Sequence, residues 1–152
     1  MDFTSLGVPA PVAAALAARG ITEPTEIQRE VIPAACAGEC LIGEAPTGTG
    51  KTLAYLLPAL MRIDPTVRAA QVLVLAPTHE LAMQIAGVAR ELVQAAGLSV
   101  GVQALIGGAN VQRQIDALKK KTCAHCRLRA AHRGAAPPPQ TKTAGGASLC
   151  TR

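Results

Sequence analysis

Ala45-Pro46-Thr47-Gly48-Thr49-Gly50-Lys51-Thr52 stands between a short apolar run, Leu41-Ile42, and a helix-like stretch from Leu53 to Met61. The spacing is that of a phosphate-binding loop, with Ala45 where a first glycine usually stands. Several backbone N–H groups must point inward together to hold a polyphosphate. That requires backbone free of side-chain obstruction, which Gly48 and Gly50 supply. Lys51 adds a full positive charge for the β- and γ-phosphates. The Thr52 hydroxyl is placed to ligate Mg²⁺, at the positive end of the helix that begins here. The bland alternative is a Gly-rich turn with a solvated lysine; strand before and helix after favour the loop.

Outward from the loop, apolar runs alternate with helix-period segments. Upstream, residues 9–19 read as a helix opened by Pro9 and Pro11 and ended by Gly20. A second helix starts at Thr25 and is interrupted or ended at Pro33. Cys40 to Glu44 reads as a short buried strand and Lys51 to Ile63 as the helix that follows. Downstream, Gln71 to Ala76 is a continuous apolar run, as expected of a parallel strand covered on both faces. His79 to Ala96 carries Leu81, Ile85, Val88 and Leu92 at helical spacing. Leu98 to Ile106 reads as a third strand, Gly107-Gly108 as a turn, and Ala109 to Lys120 as a helix. Alternation of this kind predicts an α/β fold with a parallel sheet.

The chain has 152 residues, room for one domain, and 49% of them are hydrophobic. Its only aromatic residues are Phe3 and Tyr55, so the core must be built from Leu, Ile, Val and Ala. The apolar run from Leu53 to Leu57 is far short of a membrane span, and Met1-Asp2-Phe3 opens without a secretory pattern. A cytoplasmic protein is expected, with no membrane partner. The net charge of +5 is unevenly spread. Through Lys121 there are ten basic and ten acidic residues; the last 31 residues hold five basic and no acidic ones. A uniformly basic nucleic-acid-binding face is not supported by this charge balance.

Residues 122–152 differ in character. They contain no Val, Ile, Met or aromatic residue, and hold Pro137-Pro138-Pro139 and Gly145-Gly146. Such a segment buries too little surface to offset its ordering entropy, so a disordered basic tail is expected after a domain spanning 1–121. Cys123-Ala124-His125-Cys126 has zinc-knuckle spacing, with His132 and Cys150 as further ligands, but no second close pair completes four. Free thiols are the expectation for a cytoplasmic chain.

Four ordered stretches together resemble one family. Gly20-Ile21-Thr22-Glu23-Pro24-Thr25-Glu26-Ile27-Gln28 is similar to the Q motif of DEAD-box ATP-dependent RNA helicases, and Phe3 lies where that family has an upstream aromatic. Ala45 to Thr52 is similar to the family's motif I, whose first position is Ala. Pro77-Thr78-His79-Glu80-Leu81-Ala82-Met83-Gln84 looks like motif Ia, with His79 where the family prefers Arg; Gly107-Gly108 matches the GG motif. The resemblance covers residues 3 to about 120 and implies part of a RecA-like P-loop domain.

It further implies an ATP site made by Phe3, Gln28, Thr47, Gly48, Thr49, Gly50, Lys51 and Thr52, with Mg²⁺ held through the nucleotide and Thr52. An amide such as Gln28 can pair with the N6 and N7 edge of adenine, and Phe3 can stack on the base. Thr25-x-x-Gln28 also reads as a helix capping box, and the two roles are compatible. Pro77, Thr78, Gly107 and Gly108 would contact the RNA backbone, or else serve as ordinary turn residues. His79 weakens that contact by replacing a fixed guanidinium with an imidazole.

No Asp or Glu follows Asp116, so the acidic motif that orients the attacking water in this family has no counterpart here. Phosphoryl transfer rests on positioning and charge stabilisation, so ATP turnover and unwinding are expected to be lost, and no residue is assigned a catalytic role. Read one nucleotide later, a back-translation of Thr122 to Arg127 permits Pro-Ala-His-Ile-Val-Val. A shifted reading frame is thus one hypothesis for the change at Thr122, and the coding DNA tests it. Rival readings are a nonenzymatic adenine-nucleotide or RNA-binding module, and an unstable truncated product whose phosphate-loop strand has an open edge.

Overall fold

The computed structural model describes residues 2–67, 69–107, 112, 114, 116, 125–130 and 147–149. After a single 3₁₀ turn (Thr4–Leu6) come helices α1 (Ala10–Ala18) and α2 (Glu26–Cys36), strand β1 (Leu41–Gly43) and helix α3 (Lys51–Met61). Strand β2 (Val72–Ala76), helix α4 (His79–Ala95) and strand β3 (Gly101–Leu105) follow, then β4 (His125–Ala130) and β5 (Ala147–Leu149). The α/β alternation expected from the sequence is present. The helix expected over 109–120 falls almost wholly outside the described residues.

Pro33 does not end α2. It removes one backbone donor from an exposed turn, and the helix continues to Cys36. The terminator is Gly38 at φ +90°, where the Gly38 N–H donates to Ala35 O and the Glu39 N–H to Ala34 O, each at 3.1 Å. Pro58 is likewise carried inside α3, where it is buried.

β2, β4 and β3 form a parallel sheet in that order, with Leu128 of β4 in register with Val74 on one side and Ala104 on the other. β1 pairs separately and antiparallel with β5, Leu41 opposite Leu149 and Gly43 opposite Ala147. Of residues 122–152, expected to form a disordered tail, the described ones are β4 and β5, which pair with backbone N–H and C=O groups of β1, β2 and β3; the rest of the segment lies outside the described residues. One edge of β1, expected to lie open, is paired with β5.

α4 packs on β2, β3 and β4. Ala82, Ala86 and Ala89 are fully buried at helical spacing, and these small side chains bring the α4 backbone close to the sheet. Leu56 and Leu57 of α3, Ile32 of α2 and Leu16 of α1 complete one continuous core with Ile85 and Leu92. Coverage is one-sided, which corrects the expectation of strands buried on both faces. Val74 and Ala76 of β2 are buried, but Leu73 and Leu75 are 57% and 59% exposed, and Ile42 of β1 is 76% exposed. No described helix lies against that second face, so the apolar run in β2 alternates in burial although it does not alternate in polarity.

Candidate functional site

The phosphate-binding stretch runs from the end of β1 into the first turn of α3. Gly48 and Gly50 both have φ +84°, a left-handed conformation that other residues adopt only under strain. Their surroundings differ. A Cβ added at Gly48 meets nothing within 4 Å, whereas one at Gly50 would overlap Gln28 Nε2 and lie 3.2 Å from Gln28 Cδ. Gly50 is thus the socket in which the Gln28 side chain sits.

Three side chains fix the backbone here. Gln28, 1% exposed, donates from Nε2 to Gly50 O at 2.9 Å, and its Oε1 accepts the Thr25 N–H at 3.0 Å. Thr25 donates its hydroxyl to Thr49 O at 2.8 Å, and Thr49 donates its own to Pro46 O at 2.8 Å. The capping box at the start of α2 is complete, so Thr25 and Gln28 open a helix and brace a neighbouring loop with the same side chains. Two consecutive loop carbonyls, those of Thr49 and Gly50, are drawn toward α2. The sequence reading gave Thr25 only the cap; its bond to the loop depends on α2 and the loop meeting in space.

Lys51, half-buried, donates from Nζ to Ala45 O across the loop. The ammonium therefore rests on a carbonyl of its own loop and keeps two further N–H donors. Thr52 is half-buried on the first turn of α3; Thr47 and Gly48 are exposed. Beside the loop an open apolar hollow of about 350 Å³ lies between α2, β1 and α3, walled by Ile27, Val31, Leu41 and Tyr55, with Lys51 at its rim. Phe3 is 2% exposed and belongs to the core with Leu6, Val8 and Ile32, so in this conformation its ring has almost no surface to offer a base. Among the described residues no group of three or more His, Cys, Asp or Glu can hold a metal. Mg²⁺ fits this site only as a partner of bound phosphates and the Thr52 hydroxyl.

The second set of predicted residues sits where β2 and β3 end. Pro77, Thr78 and Gly107 are all exposed. Thr78 is the N-cap of α4, its Oγ1 accepting the Leu81 N–H at 3.2 Å. A Cβ on Gly107 would lie 3.9 Å from His79 Nε2, so the two turns are neighbours. Gln114 pins the chain just before Gly107, donating to Ile106 O at 3.1 Å and accepting the Ile106 N–H at 3.2 Å. The fully exposed Glu80 carboxyl is held below its usual range by its own backbone N–H, then by the Thr78 hydroxyl and His79. Gly108 and the cysteines at 123 and 150 lie outside the described residues. Among the described residues no helix is long and apolar enough to cross a membrane.

Comparison with known proteins places this geometry. The sequence profile of the DEAD/DEAH box helicase family matches residues 25–131. The chain is 53% identical over 103 residues to the DEAD-box ATP-dependent RNA helicase CshC of Bacillus cereus, covering 66% of this chain and 25% of that protein. It is 42% identical over 118 residues to the ATP-dependent RNA helicase DeaD of Escherichia coli, covering 78% of this chain and 19% of that one. Among solved structures, a DEAD box protein from the hyperthermophile Methanococcus jannaschii superposes with a TM-score of 0.74 at 29% identity, covering 84% of this chain and 34% of that one. The RNA helicase Prp28 of Chaetomium thermophilum bound to ADP gives 0.70 at 34% identity, covering 84% and 32%. The chain spans a quarter or less of the length of these curated relatives.

Proposed function

Because the chain belongs to the DEAD/DEAH box helicase family, we propose that it is the nucleotide-gripping part of an ATP-dependent RNA helicase, one that binds ATP or ADP with Mg²⁺ but does not by itself turn ATP over or unwind RNA. The observation that carries the reading is the loop from Ala45 to Thr52, with two left-handed glycines, opening α3 directly after β1 and braced by Thr25 and Gln28. Phosphate oxygens would take the N–H groups of residues 47–50 and the Lys51 ammonium. Thr52 would join Mg²⁺ brought with the nucleotide. Gln28 would meet adenine while still bonded to Gly50 O, using its remaining N–H and lone pair. Phe3 would have to leave part of its buried seat to stack on the base.

RNA is the second partner in this reading, weakly held by Pro77, Thr78, Gly107 and Gly108 through its backbone. A cytoplasmic location belongs to the same reading. Turnover is assigned to no residue of this chain, since no carboxylate follows Asp116 to orient an attacking water.

Calorimetric titration with ADP and Mg²⁺, beside a phosphate-release assay with and without RNA, tests both halves. Saturable binding that Lys51→Ala weakens at least about ten-fold is expected, because a charge-assisted phosphate contact is lost. A folded chain with no nucleotide affinity overturns the first half, and RNA-stimulated turnover abolished by Lys51→Ala overturns the second. The exposed Leu73, Leu75 and Ile42 favour one rival, a product that folds poorly alone; a thermal melt followed by circular dichroism separates it.

A further inference from the structure

His79 joins two features that the function above leaves apart. It is the first residue of α4, it is exposed, and it faces Gly107 from across the gap between the turns after β2 and β3. Both turns belong to the surface proposed to meet the RNA backbone, and the imidazole next to Thr78 in sequence lies close to Gly107. We infer that His79 makes the RNA grip of this chain depend on protonation, the imidazolium acting as a phosphate contact that the neutral ring cannot make. The inference rests on the RNA-binding reading given above.

The Glu80 carboxylate lies next to His79 on α4 and is stabilised by its charge. The end of β2 and its turn (Leu75, Ala76, Pro77) and the end of β3 (Leu105, Ile106, Gly107) contain no titratable side chain, while β4 between them carries Arg129 in register with Leu75 and Leu105. The neutral imidazole has one N–H and one lone pair; the cation has two N–H donors and a full charge, and phosphate accepts from both more strongly. Arginine at this position would hold its charge throughout.

Fluorescence anisotropy of the full chain with a labelled single-stranded oligouridylate 12-mer, read at constant ionic strength, decides the matter. Binding about five-fold tighter at about pH 5.8 than at about pH 8 is expected for the wild type. His79→Arg should bind at the tighter level throughout, and His79→Gln at the weaker level throughout. The glutamine variant also controls for His125 and His132, the other two histidines of the chain. Wild type and His79→Gln sharing one pH slope would overturn the inference while leaving the RNA-binding reading intact. Absence of saturable binding by wild type and His79→Arg alike would overturn that reading, and this inference with it. Far-ultraviolet circular dichroism at both pH values, unchanged across the three proteins, excludes unfolding as the source of any difference.

Discussion

The loop after β1 and the turn after β2 both carry the chain from a strand into a helix, yet they are held in opposite ways. The second is held locally: Thr78 caps α4 with its own side chain, and among the described residues no side chain of another element bonds Pro77, Thr78 or His79. The first is held from outside, with Thr25 and Gln28 of the α2 start gripping the Thr49 and Gly50 carbonyls, twenty-two to twenty-four residues away in sequence. A loop that must present several N–H groups in one direction needs its carbonyls turned away. Its own Thr49 and Lys51 hold those of Pro46 and Ala45, and the beginning of another helix holds those of Thr49 and Gly50. Local capping suffices to start a helix directly after a strand.

Gly50→Ala should break this comparison most severely. The residue would be forced into the left-handed region and its Cβ would evict Gln28, so a stability loss of about 2 kcal/mol is expected together with loss of nucleotide binding. Urea denaturation and ADP titration measure the two effects; an alanine that leaves both intact would show that the α2 brace is idle. A milder, sharper comparison is Thr25→Ala beside Thr78→Ala. Each removes an N-cap and should cost about 1 kcal/mol. Only Thr25→Ala also frees the Thr49 carbonyl, so it alone should weaken ADP binding several-fold; equal affinities in the two variants would deny any difference between local and imported support.

The smallest effect concerns acid. The Glu80 carboxyl titrates below its ordinary 4.5 in the folded chain, so the stability it contributes is present above that value and is lost as the pH falls through the folded pKa. Denaturation from about pH 7 to about pH 3 should therefore give a slightly flatter acid limb for Glu80→Gln than for wild type. An unchanged limb would mean that the turn after β2 owes nothing to the carboxylate. No comparable acid dependence is expected from the loop after β1, where the bracing groups are an amide and hydroxyls.

The two regions also differ in how far they could be read from residue order. The helices α1, α3 and α4, the three strands β1 to β3, and the position of the phosphate loop follow from apolar period, proline and glycine placement, and an eight-residue spacing. These are local properties, and each lies within a few residues of its cause. The Thr25-x-x-Gln28 cap was legible for the same reason. Two features were not. Pro33 reads as an interruption or an end of the helix because a proline costs one bond, but Gly38 decides where the chain turns. The run Val72 to Ala76 is apolar at every position, so the sequence could not say that only one face is covered.

Residue order alone therefore determined that this chain alternates strands and helices around a phosphate-binding loop, because period, turn chemistry and spacing act over one or two turns of chain. Tertiary structure alone decided that Gln28 and Thr25 hold that loop, that Lys51 rests on Ala45 O, that Phe3 is buried, and that His79 meets Gly107. Each of these joins residues that the sequence keeps apart, and a bond between distant groups exists only once packing has brought them within reach.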